Sequence, residues 1–156
     1  MKSEQMEMST YKMYDLTLKV LEEKTIFESA TSSERISEFI YNAIQPQHFS
    51  EERVYIISLN AKGDVIGYAE HSKGALSSSM VDVANIFKFA LLSNASAIIL
   101  THNHPSGHAE PSAEDMAATR RVKDAGELLG VQLLDHIITS PLKNTCSVRM
   151  NSTLWE

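Results

Sequence analysis

Two histidines two residues apart, His102 and His104, are the side chains best placed to do chemistry. They stand where an apolar run gives way to a loop containing Pro105 and Gly107. In an extended backbone, side chains at i and i+2 point to the same side. Two imidazoles so placed can reach one metal ion at ~2.0–2.1 Å, the zinc–nitrogen distance. A catalytic zinc site takes three protein ligands and keeps a fourth position for water. Asp115 is the best third ligand nearby, in the first turn of the helix expected after the loop. Pro105, Gly107 and Pro111 suit a tight return that folds this turn over the metal. Each residue also has a structural reading. A histidine at a strand end is commonly a hydrogen-bonded residue and nothing more. Ser112-x-x-Asp115 has the form of an N-cap with an acid in the first helical turn.

The elements that must position these residues are legible from periodicity. Residues 95–100 form a short, nearly continuous apolar run, the mark of a central strand covered on both faces. It leads directly into His102. The spacing predicts a helix over 112–129, stopped by Gly130. Upstream, Ser32 to Glu34 offer an N-cap for a helix whose stripe is Ile36, Phe39, Ile40, Ala43 and Ile44. Residues 54–59 and 65–70 read as a hairpin with a Gly-containing loop. A second helix is expected over 82–93, buried through Val83, Ile86, Phe87, Ala90 and Leu91. Residues 131–139 and 145–149 read as two further strands. Interleaved strand pairs and helices predict an α/β domain of three layers, a mixed sheet between helices. Residues 1–30 are expected to form an arm, with a candidate hairpin of strand 15–20 and its mate 24–28.

The full string resembles a known pattern. His102-x-His104, then Ser112 after seven residues, then Asp115, resembles the JAMM motif of the MPN-type metallohydrolases. His102-Asn103-His104-Pro105-Ser106-Gly107 with Pro111, Ser112 and Asp115 is similar to the RadC-like branch. Gly74-Ala75-Leu76, residues 86–100 and Leu134-Asp135-His136-Ile137-Ile138 extend the likeness over about 31–150. The resemblance implies an MPN/JAB-like, cytidine-deaminase-like domain over 31–156. It implies zinc on His102, His104 and Asp115, and a glutamate as general base. Glu70, at the end of the strand beginning near Val65, is the expected base. Ser112 is expected to donate to the developing oxyanion, in competition with its N-cap role. Asp135 or His136 is expected either to orient a metal-binding imidazole or simply to pack in its strand. Two departures stand out. Val83-Ala84-Asn85 replaces the branch's Pro-Arg-Glu, and the 30 residues before Thr31 leave no room for its helix–hairpin–helix DNA-binding region.

Composition narrows the function classes. One cysteine, Cys146, excludes a cysteine zinc site and an internal disulfide framework. It suits a reducing, cytoplasmic setting. No apolar run reaches the ~18 residues of a membrane helix, and Met1 to Met13 carry no signal-peptide core. The activity that the resemblance implies is that of a zinc-dependent metallopeptidase or isopeptidase acting on a peptide or protein. A DNA-repair nuclease or DNA-processing factor is the alternative, and the net charge of −6 weighs against it. A non-catalytic MPN scaffold is the third reading. The methionine-rich arm leaves a homodimer open.

Overall fold

The computed structural model describes residues 15, 17–21, 32–74 and 81–156. The elements in chain order are α1 (Ser33–Phe39), continued by a π-helical turn Ile40–Ile44, β1 (Arg53–Leu59), β2 (Val65–Lys73) and α2 (Val83–Leu92). They continue with β3 (Ala97–Asn103), α3 (Ala113–Leu129), β4 (Gln132–Thr139) and β5 (Thr145–Ser147). The sheet runs β2-β1-β3-β4-β5. Only the β3–β4 pair is parallel, and α3 forms its crossover. The expected mixed α/β architecture is present. Residues 15 and 17–20 are exposed and take no part in a strand. Their expected hairpin mate, 24–28, lies outside the described residues.

The central strand is where the apolar run puts it. All seven residues of β3 are buried. Alternation splits them between two cores. Ile98 and Leu100 join Val54 and Ile56 of β1 beneath Ile86, Phe87 and Ala90 of α2 and Ala118 and Val122 of α3. Ile99, with Ile57, Leu59 and Ile137, faces Ile36, Phe39, Ile40 and Ile44 on the other side. The sheet therefore has an α2/α3 face and an α1 face. Leu91, expected in the α2 stripe, is instead 51% exposed.

Two of the three register shifts in the sheet matter for which residues face which core. Tyr55 pairs with Glu70 and Val54 with Ser72, which leaves His71 as the extra residue of β2. Ile98 pairs with Leu133 and Ile99 with Asp135, which leaves Leu134 as the extra residue of β4. A bulge inserts one residue and changes the phase of alternation beyond it. Leu133 faces the α2/α3 core, so unbroken alternation would send His136 to the α1 face. The bulge at Leu134 returns His136 to the α2/α3 face, beside Leu100 and two pairs from His102.

Helix α3 meets the sheet closely at Gly126. A Cβ built there would lie 2.5 Å from the Val131 carbonyl oxygen and 3.3 Å from the Phe87 ring. Alanine is intrinsically favoured over glycine in a helix by about 1 kcal/mol. Here the backbone clash overrides that preference. Gly126→Ala is expected to destabilise the domain by about 1–3 kcal/mol, the usual cost of overpacking. Chemical denaturation checks it, and a variant as stable as the parent refutes the close approach.

Candidate metal centre

β3 ends at Asn103, and the chain then turns through His104 toward α3. Asn103 fixes this corner from the opposite side. Its Oδ1 accepts from the Arg53 N–H at 2.8 Å, and its Nδ2 donates to the Glu51 carbonyl at 3.0 Å. His102 and His104 are thereby held with their Nε2 atoms 2.8 Å apart. Asp115 closes the group. Its Oδ1 lies 3.2 Å from His102 Nε2 and its Oδ2 3.4 Å from His104 Nε2. One ligand atom from each residue falls within 4.8 Å of the others. His102 and Asp115 are 1% and 2% exposed, so water does little to solvate them.

The proton inventory shows what this cluster lacks. His104 Nδ1 bonds the His108 carbonyl at 2.9 Å. A carbonyl only accepts, so Nδ1 carries the proton and a neutral ring presents a bare Nε2. His102 Nδ1 is also engaged away from the cluster, 2.7 Å from His136 Nε2. Nitrogen and carboxylate lone pairs thus converge in a buried space. That arrangement is stabilised by a cation, and the three residues fit a divalent metal. Burial alone would raise the Asp115 pKa, but His102 and His104, when their Nε2 atoms are protonated, and the Ser112 N–H outweigh it and hold the carboxyl well below the usual range.

Ser112 and Asp115 form a reciprocal capping box. Asp115 N–H donates to Ser112 Oγ at 3.1 Å, and Ser112 N–H donates to Asp115 Oδ2 at 2.7 Å. The box orients the carboxylate as well as starting α3. It also corrects the expected competition between capping and oxyanion binding. In the cap, Ser112 Oγ is an acceptor, so its own proton remains to be donated elsewhere.

Glu70 is not brought to this group. Its Oε2 accepts from Tyr55 Oη at 2.8 Å and lies 3.3 Å from Arg53 Nη1. Tyr55 stacks on Phe49 and meets Tyr68, which packs on Phe39 of α1. Tyr68 and Glu70 share a face, and that face is the α1 side of the sheet. Burial and the Glu70 bond push the Tyr55 phenol up to about 12. Glu70→Gln removes the charge that opposes phenolate formation, so the Tyr55 pKa is expected to fall toward 10 while metal binding stays unchanged. NMR of ring-labelled tyrosine and a zinc titration check the two halves, and weakened zinc binding would restore Glu70 to the site.

The structure points instead to Glu52, which the sequence reading passed over. Val54 pairs antiparallel with His102. Extending that register by two places sets residue 52 opposite residue 104, on the face of Val54 and His102. Arg53 and Tyr55 occupy the opposite face. The Glu52 carbonyl accepts from Gly74 N–H at 2.8 Å, which fixes its backbone at the rim. Its charge reaches the site: the Asp115 hydrogen bond raises the His104 pKa most, and Glu52 raises it further.

A family model of the RadC-like JAB domain matches residues 30–153. The chain belongs to the RadC-like JAB domain family. It is similar to a UPF0758 protein of Desulfitobacterium hafniense, 45% identical over 92 residues, 59% of this chain and 40% of that one. A UPF0758 protein of Clostridium botulinum is 48% identical over 88 residues, 56% of this chain and 38% of that one. One of Thermotoga maritima is 40% identical over 114 residues, 69% of this chain and 51% of that one. The aligned region thus spans about half or less of these curated relatives.

Other features of this RadC-like JAB domain follow from the same geometry. At the start of α2, where the branch's Pro-Arg-Glu is replaced, Asp82 caps the helix by accepting from Asn85 N–H at 3.1 Å. His108 contributes its carbonyl to His104 and its side chain to a cavity wall. Asp135 is structural: it accepts from Ser147 Oγ at 2.6 Å, Arg149 N–H and its neighbour's N–H, tying β4 to the turn after β5. Cys146 packs with Ile138 and Val148.

Proposed function

We propose that this chain is a zinc-dependent hydrolase of the JAMM type that cleaves amide or isopeptide bonds in peptides or proteins. The observation that carries the reading is the buried convergence of His102 Nε2, His104 Nε2 and the Asp115 carboxylate. Two imidazoles and a carboxylate form a ligand set typical of catalytic zinc, with a position left for water. Zinc held there would supply a water acidified from pKa 15.7 to about 7. Glu52 would accept the proton of the attacking water as its oxygen bonds to the amide carbon, and would return that proton to the amine as the carbon–nitrogen bond breaks. Ser112 Oγ donates to the carbonyl oxygen as negative charge builds on it. Asp115 and the two imidazoles hold the group rigidly through their own hydrogen bonds.

A cavity of about 410 Å³ is walled by residues 107–110, which follow His104, and by Asn144, Thr145, Cys146 and Asn151 of the β5 edge. Its amides and hydroxyl suit the polar backbone of a peptide. The net charge of −6 disfavours a phosphodiester substrate. Among the described residues no helix is long and apolar enough to cross a membrane. With a single cysteine, we place the protein in the reducing cytoplasm.

The test is a zinc titration into chelator-stripped protein, paired with a panel of isopeptide-linked peptides. One equivalent of zinc per chain and zinc-dependent release of amine are expected. Failure to take up zinc sinks the reading. Zinc uptake with cleavage of DNA, and of no peptide, would transfer it to a nuclease.

A further inference from the structure

His136 is a fully buried histidine, 0% exposed, that touches no solvent and is not one of the three ligands. It lies between two polar contacts. Its Nε2 is 2.7 Å from His102 Nδ1, and its Nδ1 is 2.6 Å from Thr119 Oγ1. Thr119 Oγ1 in turn donates to the Asp115 backbone carbonyl at 2.6 Å. The chain of contacts therefore runs from one metal-binding residue to another through His136 and Thr119.

The proton count gives this chain a direction. Thr119 has one hydroxyl proton, and the Asp115 carbonyl can only accept it. Thr119 Oγ1 then accepts from His136 Nδ1–H. A neutral imidazole with its proton on Nδ1 has a lone pair on Nε2. His102 Nδ1–H donates into that lone pair, which leaves His102 Nε2 bare and aimed at Asp115 and His104. Reversing the chain would put a proton on His102 Nε2, pointed into the space where the metal belongs.

We propose that Thr119 and His136 form a positioning relay that locks His102 in its metal-binding tautomer and couples its ring to the helix turn carrying Asp115. The inference rests on the metal reading above and adds a function for two residues outside the ligand set. It also gives the β4 bulge at Leu134 a purpose, because that bulge is what turns His136 toward His102. Hydrogen-bond partners behind metal-binding histidines typically govern affinity by 10–100-fold.

Four variants test it: Thr119→Val, Thr119→Ser, His136→Leu and His136→Gln. Valine keeps the shape of threonine and removes the acceptor that fixes His136. Leucine removes both contacts of His136. Serine keeps the hydroxyl. Glutamine can accept from His102 through Oε1 and donate to Thr119 through Nε2. Zinc affinity is read by competition with a chelating dye, and the ligand field by the visible spectrum of the cobalt-substituted protein. Thr119→Val and His136→Leu are expected to weaken zinc binding by about 10–100-fold and to alter the cobalt bands. Thr119→Ser and His136→Gln are expected to stay near the parent in both readouts. The relay is overturned if Thr119→Val binds zinc as tightly as the parent with an unchanged cobalt spectrum. It is equally overturned if Thr119→Ser and His136→Gln weaken binding as much as the disruptive pair. A parent protein that binds no zinc overturns the metal reading itself, so the two failures are distinct.

Discussion

Glu52→Gln is expected to reduce turnover by about 10²–10⁴-fold, the range a positioned general base contributes. Zinc content should stay at one equivalent per chain, because Glu52 is not among the three residues whose ligand atoms converge. The substitution keeps the shape of the side chain and removes its basicity. It also removes the negative charge that helps raise the His104 pKa. Steady-state kinetics on zinc-loaded protein, beside metal analysis of the same sample, read both consequences. Full activity in Glu52→Gln would remove Glu52 from the mechanism. Loss of zinc would make it a ligand or a fold-supporting residue. Glu70→Gln, run in parallel, separates the two glutamates, since Glu70 is held by Tyr55 and Arg53 on the other face of the sheet.

The second large effect is expected at Asp115. Groups that merely support a ligand cost 10–100-fold in affinity when removed, so loss of a ligand should cost at least about 100-fold. Both Asp115→Ala and Asp115→Asn are expected to lose zinc at micromolar protein and to be inactive. They should differ in stability. The asparagine oxygen can still accept from Ser112 N–H, as Asp115 Oδ2 does at 2.7 Å. Alanine cannot, and loss of a helix cap of this kind costs about 0.5–2 kcal/mol. In the parent, zinc at a thousandfold excess over its Kd adds about 4 kcal/mol to folding stability. That increment should vanish in both variants. Thermal melts with and without zinc check all three statements. A zinc-dependent rise in melting temperature in Asp115→Asn would show that the carboxylate charge is dispensable for binding.

Much of the molecule was readable before any coordinates. The 3.6-residue stripes located α1, α2 and α3, and the apolar run located β3, because burial on a helix face or within a central strand leaves a strong local signature. The metal group was readable for the same reason. His102 and His104 share a strand end, and Asp115 lies one loop and one helical turn away. All three are close enough in sequence for spacing alone to bring them together.

Glu70 and Glu52 mark where that local logic stops. Alternation along β2 places Tyr68 and Glu70 on one face. Which face of the sheet that group occupies depends on the partner strand, and Tyr55 of β1 takes it to the α1 side. Glu52 carries no local mark in the sequence. Its significance arises because β1 runs antiparallel to β3, so the start of one strand meets the end of the other, where the histidines stand. No spacing within 51–59 carries that fact.

The sequence by itself determined the α/β class, the His102, His104 and Asp115 group that could hold a metal ion, the capping serine and the family likeness. All of these depend on near neighbours in the chain. Tertiary structure decided on which face of the sheet Glu70 lies and that His136, rather than Asp135, contacts His102. Those choices turn on strand order, on antiparallel register and on a single extra residue at Leu134 that changes the phase of β4. The physical reason is that side chains in a strand alternate with a period of two. A one-residue slip or a change of partner moves a side chain across the whole thickness of the sheet.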